Sequence, residues 1–287
     1  MITLSSADIN IWIASLLWPL ARILGLITAA PVLGNRSVPT TVKVSLGVLL
    51  ALVIAPTVPK LPATDPMSYA GLLILVQEML IGVAMGFTMR IVFSSIEMAG
   101  EISSLTMGLG FASFFDPNTQ GRSSAISQFL ALVATMAFIS INAHLVLLSA
   151  LAESFQTLPV SGIPINGGGF KRVADWGARI FSAGLQLSLP IVAALLITNV
   201  ALGVLTRAAP QLNLFGIGFP ITLGIGFIVV ATTLPYLGTP LENLFLQGVE
   251  KVREFPRIWV AREPQPASRT APPAAPALNQ TPPAVAQ

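Results

Sequence analysis

Residues Gly108–Ser124 read GLGFASFFDPNTQGRSS and stand between two strongly apolar regions of a 287-residue chain. Phe111, Phe114 and Phe115 crowd its first half, Asp116-Pro117 sets a turn, and Gly108, Gly110 and Gly121 loosen the backbone at its ends. A soluble loop rarely holds three phenylalanines so close together. A membrane helix rarely holds Asp116-Pro117-Asn118 followed by Gly121-Arg122. Non-helical backbone at membrane depth persists only where protein buries it or where it lines an aqueous cavity. The stretch therefore reads as a functional loop inside an assembled channel, whose rings fill a narrow passage and exclude water. The rival is that the same rings pack a static core.

The surrounding chain fits a membrane setting. Hydrophobic residues make up 54% and charged residues 9%, against about 25% charged in an ordinary soluble domain. Successive apolar runs near the ~20 residues needed to cross a bilayer make the chain polytopic and all-α. The net charge of +3 is small and its basic residues are scattered, which argues against nucleic acid as a partner. There is no cysteine and a single histidine, His144, so disulfides, thiolate chemistry and multi-histidine metal sites are excluded. No Lys or Arg precedes Arg22, so the first apolar run lacks the basic flank of a signal peptide and is expected to be retained.

N-terminal to the loop, Tyr69–Phe93 starts a helix that can run on to Leu109. Along it Glu78, Gly82, Gly86, Arg90, Ser94, Glu97, Glu101, Ser104 and Gly108 recur at steps of three or four, which keeps them near one slanting face. Gly82 and Gly86 alone are ordinary helix packing. Glu97 and Glu101 are like charges four residues apart, so water or Arg90 must relieve them. Both a face toward an aqueous passage and a purely structural polar network remain open. Five of the eight methionines lie on this segment; adaptable binding and plain gap-filling both suit them.

Further toward the N-terminus, Ser5 and Asp8 fit a capping box for a helix over Ile11–Leu33. Arg22 lies near its middle, where a charge costs ~2.5–3.5 kcal/mol, so it must face protein or water. Val44–Val58 is a short second run, followed by the prolines 56, 59, 62 and 66. Beyond the loop, Ala125–Ala152 is apolar but interrupted by Asn142 and His144. Phe170–Leu205 carries Asn199 in its apolar part, and Arg207 and Gln211 lie in a turn-rich stretch before Ile221–Leu237. Arg22, His144, Asn199, Arg207 and Gln211 are expected as polar groups inside the bundle. Leu241–Glu254 is amphipathic. Residues 1–258 form the membrane domain, and 259–287 read as a disordered Pro/Ala-rich tail. Lys251, Arg253, Arg257 and Arg262 place that tail on the cytoplasmic side.

No catalytic constellation is present: there is no second histidine, no Gly-x-Ser-x-Gly elbow and no His-Glu-x-x-His site. No cofactor is expected. A secondary transporter of a small solute or ion is the competing class, since broken helices and intramembrane charges are its hallmarks. Its signature would be matching broken helices in both halves, and no convincing internal repeat exists.

Three segments carry a more specific likeness. EMAGEISSLTMGLGFASFFDPNTQ (Glu97–Gln120), NAHLVLLSALAESFQTLPV (Asn142–Val160) and RAAPQLNLFGIGFP (Arg207–Pro220) together resemble the FliR family of flagellar type III secretion, whose injectisome counterpart is SctT. The likeness covers the chain to about residue 258 and leaves out the tail. It implies a non-enzymatic export-gate protein of the bacterial inner membrane at the flagellar basal body. It implies assembly with FliP and FliQ into a conical, helical gate of long, kinked helical hairpins, with FlhA and FlhB nearby, and passage of unfolded flagellar subunits. It further implies that the loop matching Gly110–Arg122 plugs the pore, with Glu97 and Glu101 near the passage.

Overall fold

The computed structural model describes residues 6–59, 62, 64–111, 124–162, 167–209 and 214–259. Among them are nine α-helices and no strand: α1 (Ser6–Ala29), α2 (Thr40–Ile54), α3 (Tyr69–Thr106), α4 (Ala125–Ser140), α5 (Ala143–Thr157), α6 (Gly168–Trp176), α7 (Arg179–Ala208), α8 (Leu214–Thr233) and α9 (Gly238–Trp259). Four segments are long and apolar enough to cross a membrane, namely Thr40–Thr57, Tyr69–Thr106, Gly168–Ala208 and Gly216–Tyr236. The bent pair α4–α5 makes a fifth if counted as one span. The chain is an all-α membrane protein.

Helix α3 is the spine. Its 38 residues extend ~57 Å at 1.5 Å per residue, nearly twice the ~30 Å hydrocarbon core. It starts where the Ser68 hydroxyl accepts the Gly71 N–H at 3.1 Å, and no proline interrupts it. Helices α1, α4, α7 and α9 all pack on it. The contacts with α1, α4 and α7 are backbone-close because glycine sits at each crossing. A Cβ at Gly82 would stand 1.9 Å from the Arg22 carbonyl oxygen, one at Gly100 2.3 Å from Ser127 Cα, and one at Gly184 3.0 Å from the Ser95 carbonyl oxygen. Small residues supply association between apolar helices where the hydrophobic effect cannot. Where α3, α4 and α9 meet, the rings of Phe93, Phe138 and Phe245 form a triangle with centroids 5.3–5.5 Å apart.

Among the boundaries that differ from the sequence expectation, two bear on the count of spans. The second apolar run starts at Thr40 rather than Val44, and a 3-10 turn carries it to Thr57. Its 18 residues reach ~27 Å, close to a full span. The apolar run over Ala125–Ala152 is two helices bent by 66°. Asn142 makes the bend by taking the left-handed conformation, φ 56°, which asparagine tolerates better than most residues. Ser5 and residues 260–287, which include nearly all of the expected tail, lie outside the described residues.

Candidate functional site

The roots of the Phe-rich loop lie on the end of α3 and on the N-terminus of α4, which is tied to the last turns of α3. The helix closes at Thr106, Gly108 turns the chain with φ 87°, and Leu109–Phe111 form one 3-10 turn. Gly226 of α8 abuts this root: a Cβ there would lie 2.6 Å from Met107 Cγ. Residues 112–123, and with them Phe114, Phe115, Asp116, Pro117 and Gly121, lie outside the described residues. The chain is described again from Ser124, the N-cap of α4, whose hydroxyl accepts the Ser127 N–H at 3.1 Å.

Glu101 supplies the reciprocal half of that cap. In a capping box a glutamate inside the helix accepts the N-cap residue's own N–H. Here the Ser124 N–H donates instead to Glu101 Oε1 across the helix pair, at 2.8 Å. A carboxylate is favourable there because the N-terminus of α4 carries partial positive charge. One turn earlier the Ser127 hydroxyl donates to the Glu97 carbonyl oxygen at 2.9 Å. Glu101 thus has a defined partner, and relief of its charge does not come from Arg90. Arg90 is exposed and forms none of the ion pairs among the described residues. The Glu97 side chain is half-buried, and Ser104 is buried.

The expected polar face splits in two. At ~100° per residue, Arg90, Glu97, Glu101 and Ser104 fall within about 60° of one another, whereas Glu78 points about 120° away from Arg90. Glu78 turns into the protein, where its carboxylate meets Arg22. Both side chains are 0% exposed, with Arg22 Nε donating to Glu78 Oε2 at 2.6 Å. Arg22 also donates to Ser154 Oγ at 3.1 Å and to the Leu158 carbonyl oxygen at 2.9 Å. Its guanidinium lies 4.3 Å from the Phe155 ring centroid. One arginine therefore ties α1 to α3 and α5. Glu78 belongs to this knot rather than to the face bearing Glu97 and Glu101.

The remaining polar candidates disperse. His144 is half-buried beside Phe138, with ring centroids 6.4 Å apart and no hydrogen-bond partner for Nδ1. Asn199 and Arg207 are exposed on α7. The expectation that they lie inside the bundle is not met within this chain, because much of α7 beyond its contacts with α3 and α8 has no covering helix. Gln211 lies outside the described residues. Ser154, Phe155 and Ser124 were not singled out by the sequence. Ser124 carried a signal, since a serine directly before an apolar helix is a preferred N-cap. Ser154 and Phe155 carried none, being 132 and more positions from Arg22.

Comparison with known proteins places the chain in a family. The family model for bacterial export proteins, family 1, matches residues 13–248. The flagellar biosynthetic protein FliR of Pectobacterium carotovorum is 44% identical over 245 residues, covering 85% of this chain and 94% of that protein. FliR of Escherichia coli K12 is 41% identical over 247 residues, with the same coverages. FliR of Bacillus subtilis is 29% identical over 238 residues, covering 82% and 91%. The chain belongs to the FliR family, family 1 of the bacterial export proteins.

Proposed function

We propose that this chain is a non-enzymatic subunit of the flagellar type III export gate in the bacterial inner membrane. It forms part of the pore wall together with FliP and FliQ, beside FlhB and FlhA, and unfolded flagellar subunits pass along it. Residues 110–122 plug the pore, and the tail lies on the cytoplasmic side. The observation that carries the proposal is the 44% identity to a flagellar FliR protein over 94% of that protein's length.

Two features of the geometry support the reading of a pore-wall subunit with a plug. Ile197, Val200 and Val204 on α7 and Ile228 on α8 are exposed by 62–72%, and Asn199 and Arg207 share the outer surface of α7. A charged group facing lipid is costly, so this mixed surface suits a protein neighbour. The plug hypothesis gains from the anchoring: a loop rooted on the end of α3 and on an α4 N-terminus tied to Glu101 of α3 can close a passage without unfolding the bundle. Its phenylalanines would hold back ions by dewetting a hydrophobic constriction.

Co-expression tests the assembly. The chain produced with FliP and FliQ should be recovered as one stable membrane complex, and produced alone it should aggregate or be degraded. A monodisperse, protease-resistant monomer in detergent would contradict the proposal.

A further inference from the structure

Arg36 and Arg90 line a single hollow of about 490 Å³, whose remaining wall is the last turn of α1 and the turn that follows it. Both side chains are exposed. Neither takes part in an ion pair among the described residues; those pairs are Arg22–Glu78, Arg172–Glu254, Lys251–Glu254 and Arg253–Glu153. Guanidinium stays charged at any physiological pH, so the hollow holds two cations without a counter-charge. The nearest basic neighbour in sequence, Lys43, is already used: its Nζ donates to the Gly34 carbonyl oxygen at 3.1 Å.

The hollow is built from pinned parts. Arg90 projects from the middle of α3. Arg36 is carried by a tight turn in which the Gly34 N–H donates to the Ala30 carbonyl at 2.9 Å and the Ser37 N–H donates to Asn35 Oδ1 at 2.9 Å. Val32 in the same wall is held at φ 64°, an outlier for a β-branched residue and a conformation that surrounding structure must enforce. Along α3 the hollow lies between helix crossings. The α1 crossing at Gly82 precedes Arg90, and the α7 and α4 crossings at Ser95 and Gly100 follow it. The last 16 residues of α3, ~24 Å, continue beyond it.

We infer that this hollow is a socket for an acidic side chain of a neighbouring subunit, an Asp or Glu held between Arg36 and Arg90. The inference rests on the gate-subunit proposal and adds to it where one contact is made and with what chemistry. Planar guanidinium forks bind carboxylate through paired hydrogen bonds, and such a contact sets register between subunits as well as attraction.

The test uses the full chain co-expressed with FliP and FliQ. Recovery of partners with R36E/R90E should fall by about tenfold or more, whereas R36K/R90K, which keeps both charges but loses the paired hydrogen bonds, should fall by a smaller factor. A photo-cross-linking amino acid at position 35 should give an adduct to a partner peptide containing Asp or Glu. Replacing that acid with Lys should restore partner recovery to R36E/R90E, which a folding defect would not permit. Unchanged recovery with R36E/R90E, adducts to phospholipid alone, or no restoration by the charge swap would overturn the socket. If the wild-type chain recovers no partner at all, the gate-subunit proposal falls first and the socket with it.

Discussion

Replacing Glu78 with leucine should be among the most damaging single changes in the chain. The substitution leaves the Arg22 charge fully buried, with only the Ser154 hydroxyl, the Leu158 carbonyl and the Phe155 ring for company. Breaking one side of a buried pair costs ~3–5 kcal/mol, because the surviving charge is uncompensated. That is a large share of the ~5–15 kcal/mol that holds a typical domain folded. The double replacement R22M/E78L removes both charges and should recover most of the loss, since apolar substitutes for buried pairs are often neutral. Ser154 keeps a partner in the double variant, as its hydroxyl also donates to the Leu151 carbonyl at 2.6 Å. Only the Leu158 carbonyl is orphaned, at ~1–3 kcal/mol. The assay is the detergent-unfolding midpoint of the co-expressed complex for the wild type, both single variants and the double. The expected order is wild type, then the double, then either single. A single variant as stable as the wild type, or a double no better than the singles, would refute the reasoning.

Other outcomes follow from individual contacts. Glu101→Ala removes the acceptor for the Ser124 N–H and should cost ~0.5–2 kcal/mol at the α4 cap; hydrogen exchange at the Ser124 amide should speed up, and an unchanged rate would count against the clamp. Gly82→Ala drives a Cβ to 1.9 Å from the Arg22 carbonyl oxygen and should cost at least ~1–3 kcal/mol through overpacking. Gly203→Ala, with nothing within 4 Å, should be neutral or gain up to ~1 kcal/mol of helix propensity, so equal effects at the two sites would be contrary evidence. Deleting residues 264–287 should leave motility intact, and loss of swimming at normal protein levels would assign the tail a docking role.

The sequence made the spine visible because its glycines and polar residues recur at helical steps from Glu78 to Gly108. It also marked Asn142 as an interruption, although apolar composition on both sides hid a bend as sharp as 66°. What it could not supply was pairing. The burial cost of Arg22 called for a partner, yet Glu78 lies 56 positions away and Ser154 132 away, distances that local patterning does not span. Grouping Glu78 with Glu97 and Glu101 followed from steps of three and four, but those steps exceed 3.6 residues on average and carry the stripe around the helix. Glu101 reads as a charge in need of water or of Arg90 because its donor, the Ser124 N–H, is a backbone group invisible to side-chain patterns. The loop itself was recognisable by composition and by family likeness, and the structure describes its roots on α3 and α4.

Ion conductance of cells expressing the complex with residues 110–120 deleted, read beside a pull-down of FliP and FliQ, tests the plug most directly. The account predicts full assembly together with a leak, and the same pair of results when Phe111, Phe114 and Phe115 are all changed to Ala. Full assembly with no leak would contradict it. Loss of assembly would show instead that the rings pack a static core, at several kcal/mol, about 3–5 for each phenylalanine removed.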